Sequence, residues 1–281
     1  MADNNVILFE GNTLVLPGMT NMFMALVPQF ASVDINMTIN KKYGVLGSHV
    51  PTPYRPELLY FGIGINGFYN TDDSTGAAPH QPYGTDFDLY TPLPIRVVPV
   101  TNDLSVSERA KYRMRVVREI DGTAYACYYL KLIEWGSSPV KRYRRDPSGI
   151  EEEFSIDPNW LYPEPPLVSE GNIIDENTAR MIVRMEGNMT LSGLEINEAI
   201  NSLYGGDPTH TMISEYGLYT GMEVYTDING TLSEIPTAYK EAAVTQLLHH
   251  CTLRDGNGLT NEENEVTRTV RLGHTQRIYM Q

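Results

Sequence analysis

Apolar and polar residues alternate with a period of two along much of this chain, the pattern of half-buried strands. In LLYFGIGI, Leu59, Phe61, Ile63 and Ile65 share one face. KYRMRVVREI sets Tyr112, Met114 and Val116 against Arg113, Arg115 and Val117, and AYACYYLKLIEW follows across Asp121-Gly122. Asp-Gly tolerates the positive-φ geometry of a tight turn, so this pair predicts a hairpin. A short helical entry over SERAKYRM is the competing reading for its first residues. Pro94 and Pro99 bracket IRVVP, which places it at a sheet edge or in a short strand, because proline donates no ladder hydrogen bond. Further strands are expected in NVILFE, around an Asn229-Gly230 turn, and in EVTRTVRLGHTQRIYM. ARMIVRM fits a strand or a helical turn.

Helical spacing is clearest in GLEINEAINSLYGGD, where Ile196, Ala199, Ile200 and Leu203 follow the i, i+3, i+4, i+7 rule. Ser192 caps its start and Gly205-Gly206 supplies a left-handed stop. TAYKEAAVTQLLHHCTL opens with helix formers and ends β-like. The sum is an α+β, β-rich chain of antiparallel sheets and hairpins with a few short helices and an extended N-terminal arm. By composition it divides into an arm (1–50), a β-rich domain (51–135), a charged Pro/Gly-rich connector (136–173) and an α+β C-terminal domain (174–281).

The arm carries Met19, Met22, Phe23 and Met24 between Pro17 and Pro28, and no Lys or Arg before Lys41. Such an uncharged, methionine-bearing segment is adaptable apolar surface, suited to the chain's own body or to a neighbouring chain. Its prolines and Asn21 interrupt it too often for a membrane span, and the charged start of a secretory signal is missing, so synthesis in a reducing cytosol is expected. Without such a signal the N-x-[ST] sequons at Asn36, Asn188 and Asn229 read as chance matches. A net charge of −14, from 21 basic and 35 acidic residues, repels phosphate backbones and weighs against nucleic acid as a partner. Cys127 and Cys251 lie in apolar surroundings and read as buried, inert thiols.

Candidate chemistry begins at Gly62-Ile63-Gly64-Ile65-Asn66-Gly67, which spells G-x-G-x-x-G, with Asp86 about twenty residues on. A dinucleotide site also needs a helix after the last glycine, with its N-terminus facing the phosphates. The residues from Phe68 to Gly76 carry no helical apolar pattern, and Asp72 and Asp73 stand where phosphates would lie. The motif therefore reads as a strand and an Asn66-Gly67 hairpin turn. Gly62 and Gly64 then leave a bare strip on one face, for a backbone or a bulky side chain to approach. No cofactor is expected. Lys141, Arg142, Tyr143, Arg144 and Arg145 form a basic patch that Glu151, Glu152 and Glu153 can neutralise, a solvated or partner-facing loop. His249-His250-Cys251 makes a poor chelate, because adjacent side chains diverge. Neither G-x-S-x-G nor a phosphate loop occurs. Eighteen tyrosines, many of them expected as half-buried strand residues, tilt the reading toward an assembly subunit.

LSGLEINEAINSLYGGD, ISEYGLYTGMEVYT, the YKEAAVTQLLHH run and FDLYTPLPIRVVPVTNDLSVSERAKYRMRV resemble segments of tailed-bacteriophage virion structural proteins, over roughly two-thirds of the chain. The resemblance implies a non-enzymatic part of a ringed neck, tail or baseplate, located in the virion after assembly in the host cytoplasm. Its partners would be further copies of itself, in a homo-oligomeric ring, and other virion proteins; it supplies no catalytic residues. Two alternatives stay open: a soluble enzyme working on a polar or sugar-like ligand through Asp72, Asp73 and Asp86, and a nucleic-acid-contacting protein working through KRYRR.

Overall fold

The computed structural model describes residues 6–8, 14–70, 77–146, 148–162, 180–205, 212–258 and 265–277. In chain order the strands of the first half are β1 (Val6–Leu8), β2 (Glu57–Gly64), β3 (Phe68–Asn70), β4 (Ala77–Pro79), β5 (Pro92–Leu93), β6 (Arg96–Pro99), β7 (Tyr112–Ile120) and β8 (Thr123–Leu132). Then come β9 (Glu134–Arg145), β10 (Glu151–Glu153), β11 (Arg180–Ser192), β12 (Met212–Thr226), β13 (Tyr239–Gly258) and β14 (Glu265–Arg277). The α-helices are α1 (Leu16–Leu26), α2 (Ile39–Tyr43), α3 (Val106–Arg109) and α4 (Gly193–Tyr204). The molecule is thus α+β and β-rich, with antiparallel sheets and short helices, as the alternation implies.

Two compact units draw on separated segments. One comprises residues 1–10, 134–188 and 268–281, the other residues 11–133 and 189–267. The first carries a five-stranded sheet in the order β1-β14-β11-β9-β10. The second carries a seven-stranded sheet, β13-β12-β2-β8-β6, with β5 paired to β2 and β7 to β8, and the β3–β4 ribbon.

Turn and cap chemistry explains several of these elements. Asp121 and Gly122 take φ of 49° and 77° and close the β7–β8 hairpin, as their sequence implies. The helical entry before it is real but short: Ser105 and Glu108 form a reciprocal capping box at α3. At α4, Ser192 Oγ accepts from Glu195 N while Glu195 takes the Ser192 N–H, and Gly205 turns the chain at φ 62°. Gly206 and residues 163–179, which hold the last part of the connector, lie outside the described residues, as do Asp72 and Asp73.

Four expectations change. TAYKEAAVTQLLHHCTL is strand from Tyr239 onward, because residues 241–250 are buried on both faces and packing overrides the helix propensity of its opening. KRYRR lies on β9 rather than in a loop. Residues 16–26 are helical rather than extended. Asn66-Gly67 closes no hairpin, since β3 pairs with β4 and not with β2.

The long β13 would be an exposed, aggregation-prone edge if left bare. The chain from Leu14 through α2 covers it in part. Val15 N donates to Leu248 O, and Leu14 bridges His249. Asn40 acts as a surrogate strand, its Nδ2 donating to Ala242 O and its Oδ1 accepting from Thr245 N, both at 2.7 Å. Between those bonds Val244 sits at φ 49°, a costly conformation for a β-branched residue that the Asn40 amide holds in place.

Candidate assembly surface

Helix α1 forms where proline is harmless. Pro17 stands in its first turn, where backbone N–H groups lack intrahelical partners, and Leu16 N donates instead to Gly84 O at 2.7 Å. The face docked on the body is small and polar: the buried residues are Pro17, Gly18 and Asn21. A Cβ at Gly18 would stand 2.3 Å from the Leu248 carbonyl oxygen, so only glycine permits this approach. Asn21 Nδ2 donates to Thr220 Oγ1 at 2.7 Å, and its Oδ1 accepts from the Tyr54 hydroxyl at 3.3 Å.

The opposite face is apolar and open. Met19, Met22, Phe23 and Leu26 follow i, i+3, i+4, i+7 spacing and are 39%, 56%, 72% and 76% exposed. Val27 extends the stripe, while Met24 is partly buried. A surface helix of a globular protein turns its apolar stripe to the core; α1 does the reverse. No charged residue interrupts the sequence from Gly11 to Val33, in a chain of net charge −14.

The glycine strip has the opposite character. Gly62 lies opposite Gly217, and the ring of Tyr219 covers both: a Cβ at Gly62 would meet it at 3.1 Å, one at Gly217 at 2.7 Å. At Gly64 the Thr91 carbonyl oxygen (2.8 Å) and the Glu215 side chain (2.9 Å) fill the strip, and at Gly67 the Ser214 carbonyl oxygen would stand 1.9 Å from a Cβ. Backbone and bulky side chain therefore both occupy the strip, and both come from this chain.

Above the strip lies a buried polar cluster. Glu215, fully buried, accepts from Asn66 N (2.7 Å), Tyr90 N (2.7 Å) and Thr91 N (3.2 Å), and faces His250 Nε2 at 3.2 Å. His250 Nδ1 faces Asp86 at 2.8 Å. Both ring nitrogens thus face a carboxylate. Burial alone would raise the Glu215 carboxyl, but the His250 contact and the Asn66 and Tyr90 N–H groups outweigh it and hold the group below its ordinary value. Asp88 likewise gathers the Tyr219 hydroxyl (2.6 Å), the Tyr43 hydroxyl (3.2 Å) and Lys42 (2.6 Å). These groups pin the 80–91 segment to the sheet. Asp86, the acid of the apparent dinucleotide motif, is thus a clamp residue, and its partner His250 comes from the His-His-Cys run. No local spacing signals that pairing, because 164 residues separate the two.

In the other unit, the KRYRR charges meet carboxylates. Arg145 pairs with Glu151, Lys141 with Glu186 at 3.4 Å, and the Tyr143 hydroxyl donates to Glu186 at 3.2 Å. Arg184 lies 4.1 Å from the Tyr143 ring centroid and also binds Glu151, at 2.6 Å. Glu152 lies opposite Arg144 in the β9–β10 ladder, and Arg142 is exposed. Glu151 meets Arg145, as the following glutamates suggested; the partner of Lys141 and Tyr143 is Glu186 on β11, which no local spacing signals.

Both thiols are buried, and burial pushes Cys127 and Cys251 up to about 11. Tyr60, Tyr128, Tyr216 and Tyr219 are among the most buried large side chains, so these tyrosines serve the core and not a surface. Among the described residues no helix is long and apolar enough to cross a membrane.

No curated protein and no solved structure matches the chain. A family model matches residues 18–281, which include most of α1 and of both compact units, and the chain belongs to that family, DUF7208, a family of unknown function.

Proposed function

We propose that the protein is a non-enzymatic structural subunit of a tailed-bacteriophage virion, in the neck, tail or baseplate, which assembles with copies of itself through the open face of α1. The observation that carries this reading is the inverted helix: Met19, Met22, Phe23 and Leu26 outward, Gly18 and Asn21 inward. Exposing such a stripe forfeits the stabilisation that its burial would bring, and a contiguous apolar patch on a surface marks a contact. Its lack of charge lets two chains of net charge −14 meet without local repulsion. The segments that resemble virion proteins support the setting.

The polar groups that an enzyme reading would use favour it less. Asp86 is engaged by His250 and by Tyr83 N, and serves the fold.

Two measurements test the proposal. Mass spectrometry of purified virions should detect the chain at a stoichiometry that is a multiple of a ring, and cryo-EM should locate it at the neck, tail or baseplate. Its absence from virions would reject the setting. Chemical cross-linking of the purified chain should join copies through α1; cross-links confined within single copies would reject the assembly role.

A further inference from the structure

Helix α1 opens without a side-chain cap, and one of its first backbone N–H groups is met from the 80–91 segment instead: Leu16 N donates to Gly84 O. That bond brings Tyr83, 69% exposed, to the N-terminal end of the apolar stripe, where Leu16 is itself 41% exposed. The turn that carries Tyr83 is held from inside the molecule. Asp86 N donates to Tyr83 O at 3.0 Å. Asp86 Oδ2 accepts from Tyr83 N at 2.9 Å and faces His250 Nδ1 at 2.8 Å. His250 is fully buried on β13, two residues beyond Leu248, whose carbonyl accepts Val15 N at 3.2 Å. Helix and turn are therefore both fastened to residues 248–250 of one strand, and to each other.

Area shows why the turn matters. At about 200 Å² for a fully exposed side chain of this size, Met19, Met22, Phe23 and Leu26 present roughly 500 Å² at their exposures. A stable interface takes about 800 Å² from each partner, so these four fall short. Leu16 and Tyr83 at one end and Val27 at the other bring the surface to roughly 800 Å².

We propose that a second copy of the chain docks on this composite surface, α1 together with Tyr83, and that Asp86 positions it. This rests on the assembly reading above and gives the contact its extent. Charge favours the same occupant. Residues 11–33 and 81–85 carry no charged side chain, so a copy of net charge −14 can cover them without burying an unpaired charge or meeting local repulsion. Tyrosine suits the edge of such a contact, because its ring is apolar and its hydroxyl can stay wet.

Sedimentation equilibrium of the full chain, beside hydrogen exchange, tests the proposal. Tyr83→Ser leaves α1 whole and should weaken association by about tenfold or more at an unchanged urea midpoint. Asp86→Ala keeps the stripe and Tyr83, yet should weaken association likewise and speed exchange of the Leu16 and Tyr83 amides. Asp86→Ser, a milder loss, replaces it if the alanine variant lacks a folded baseline in urea. Asp86→Asn keeps an oxygen for Tyr83 N and His250 and should restore both readouts. If Tyr83→Ser associates like wild type while Phe23→Glu does not, the contact ends on α1; this inference falls and the assembly reading stands. Faster exchange with undiminished association in the Asp86 variants would overturn the positioning role. A wild-type chain that stays monomeric overturns both the inference and the reading beneath it.

Discussion

The strip beneath Tyr219 and the outer face of α1 are opposite departures from the ordinary rule of apolar inside and polar outside. Around the strip, Glu215, His250 and Asp86 are taken out of water, and each finds a partner within the chain. On α1, Met22, Phe23 and Leu26 are left in water, and their helix docks by its glycine and asparagine instead. The first arrangement is closed and explains how the 80–91 segment is held. The second is open, and the proposed assembly gives it a complement on another copy. Buried polarity here reads as architecture, and exposed apolarity as contact.

The contrast can be broken most sharply by paired substitutions. Glu215→Ala strands three backbone N–H groups and His250 in the interior, and should cost about 3–5 kcal/mol in urea unfolding. Phe23→Ser should shift the same midpoint by no more than about 0.5 kcal/mol, as at an exposed site. Equal effects would erase the distinction between a closed and an open region.

The glycines sharpen the closed half. Gly67→Ala drives a methyl into the Ser214 backbone and should cost about 1–3 kcal/mol, seen as a lowered midpoint. Gly62→Ala meets only the edge of the Tyr219 ring and a Leu130 methyl, at 3.1 and 3.4 Å, and should cost clearly less.

How much of this was legible in the sequence follows from the range of the interactions. Asp121-Gly122 and the Ser192–Glu195 cap were readable because their bonds close within a few residues. That the glycines of FGIGING serve fit was readable from the missing helix after them. Which groups fit there was not, since Tyr219 and Ser214 lie some 150 residues away. Asn66-Gly67 carries the local signature of a hairpin, yet Asn66 N is claimed by Glu215 and Gly67 N by Ser214 Oγ at 2.8 Å. The α1 helix escaped notice for a related reason: with Pro17 and Pro28 at its borders and its apolar positions outward, the segment resembles an unstructured arm. Of the four residues singled out there, Met19, Met22 and Phe23 are exposed and Met24 is partly buried, while Leu26, the most exposed residue of the stripe, is not among them.

Acid should probe the cluster more gently. Because Glu215 is held below its ordinary value of 4.5, its contribution to stability is complete above that pH and is lost as pH falls through the lower folded value. Glu215→Gln should therefore show a shallower loss of stability below about pH 4.5 than wild type; parallel pH profiles would mean that the carboxylate is not what the cluster depends on. The smallest effect concerns the thiols. With both pushed up to about 11, neither Cys127 nor Cys251 should react with a thiol reagent at pH 8 in the native chain, and both should react in urea.

Sedimentation of the purified chain over a range of concentrations tests the central claim most directly. The account predicts reversible association of the wild type, abolished by Phe23→Glu with Leu26→Glu at an unchanged unfolding midpoint. A wild-type chain that sediments as a monomer at every concentration, or variants that associate as well as it does, would contradict it.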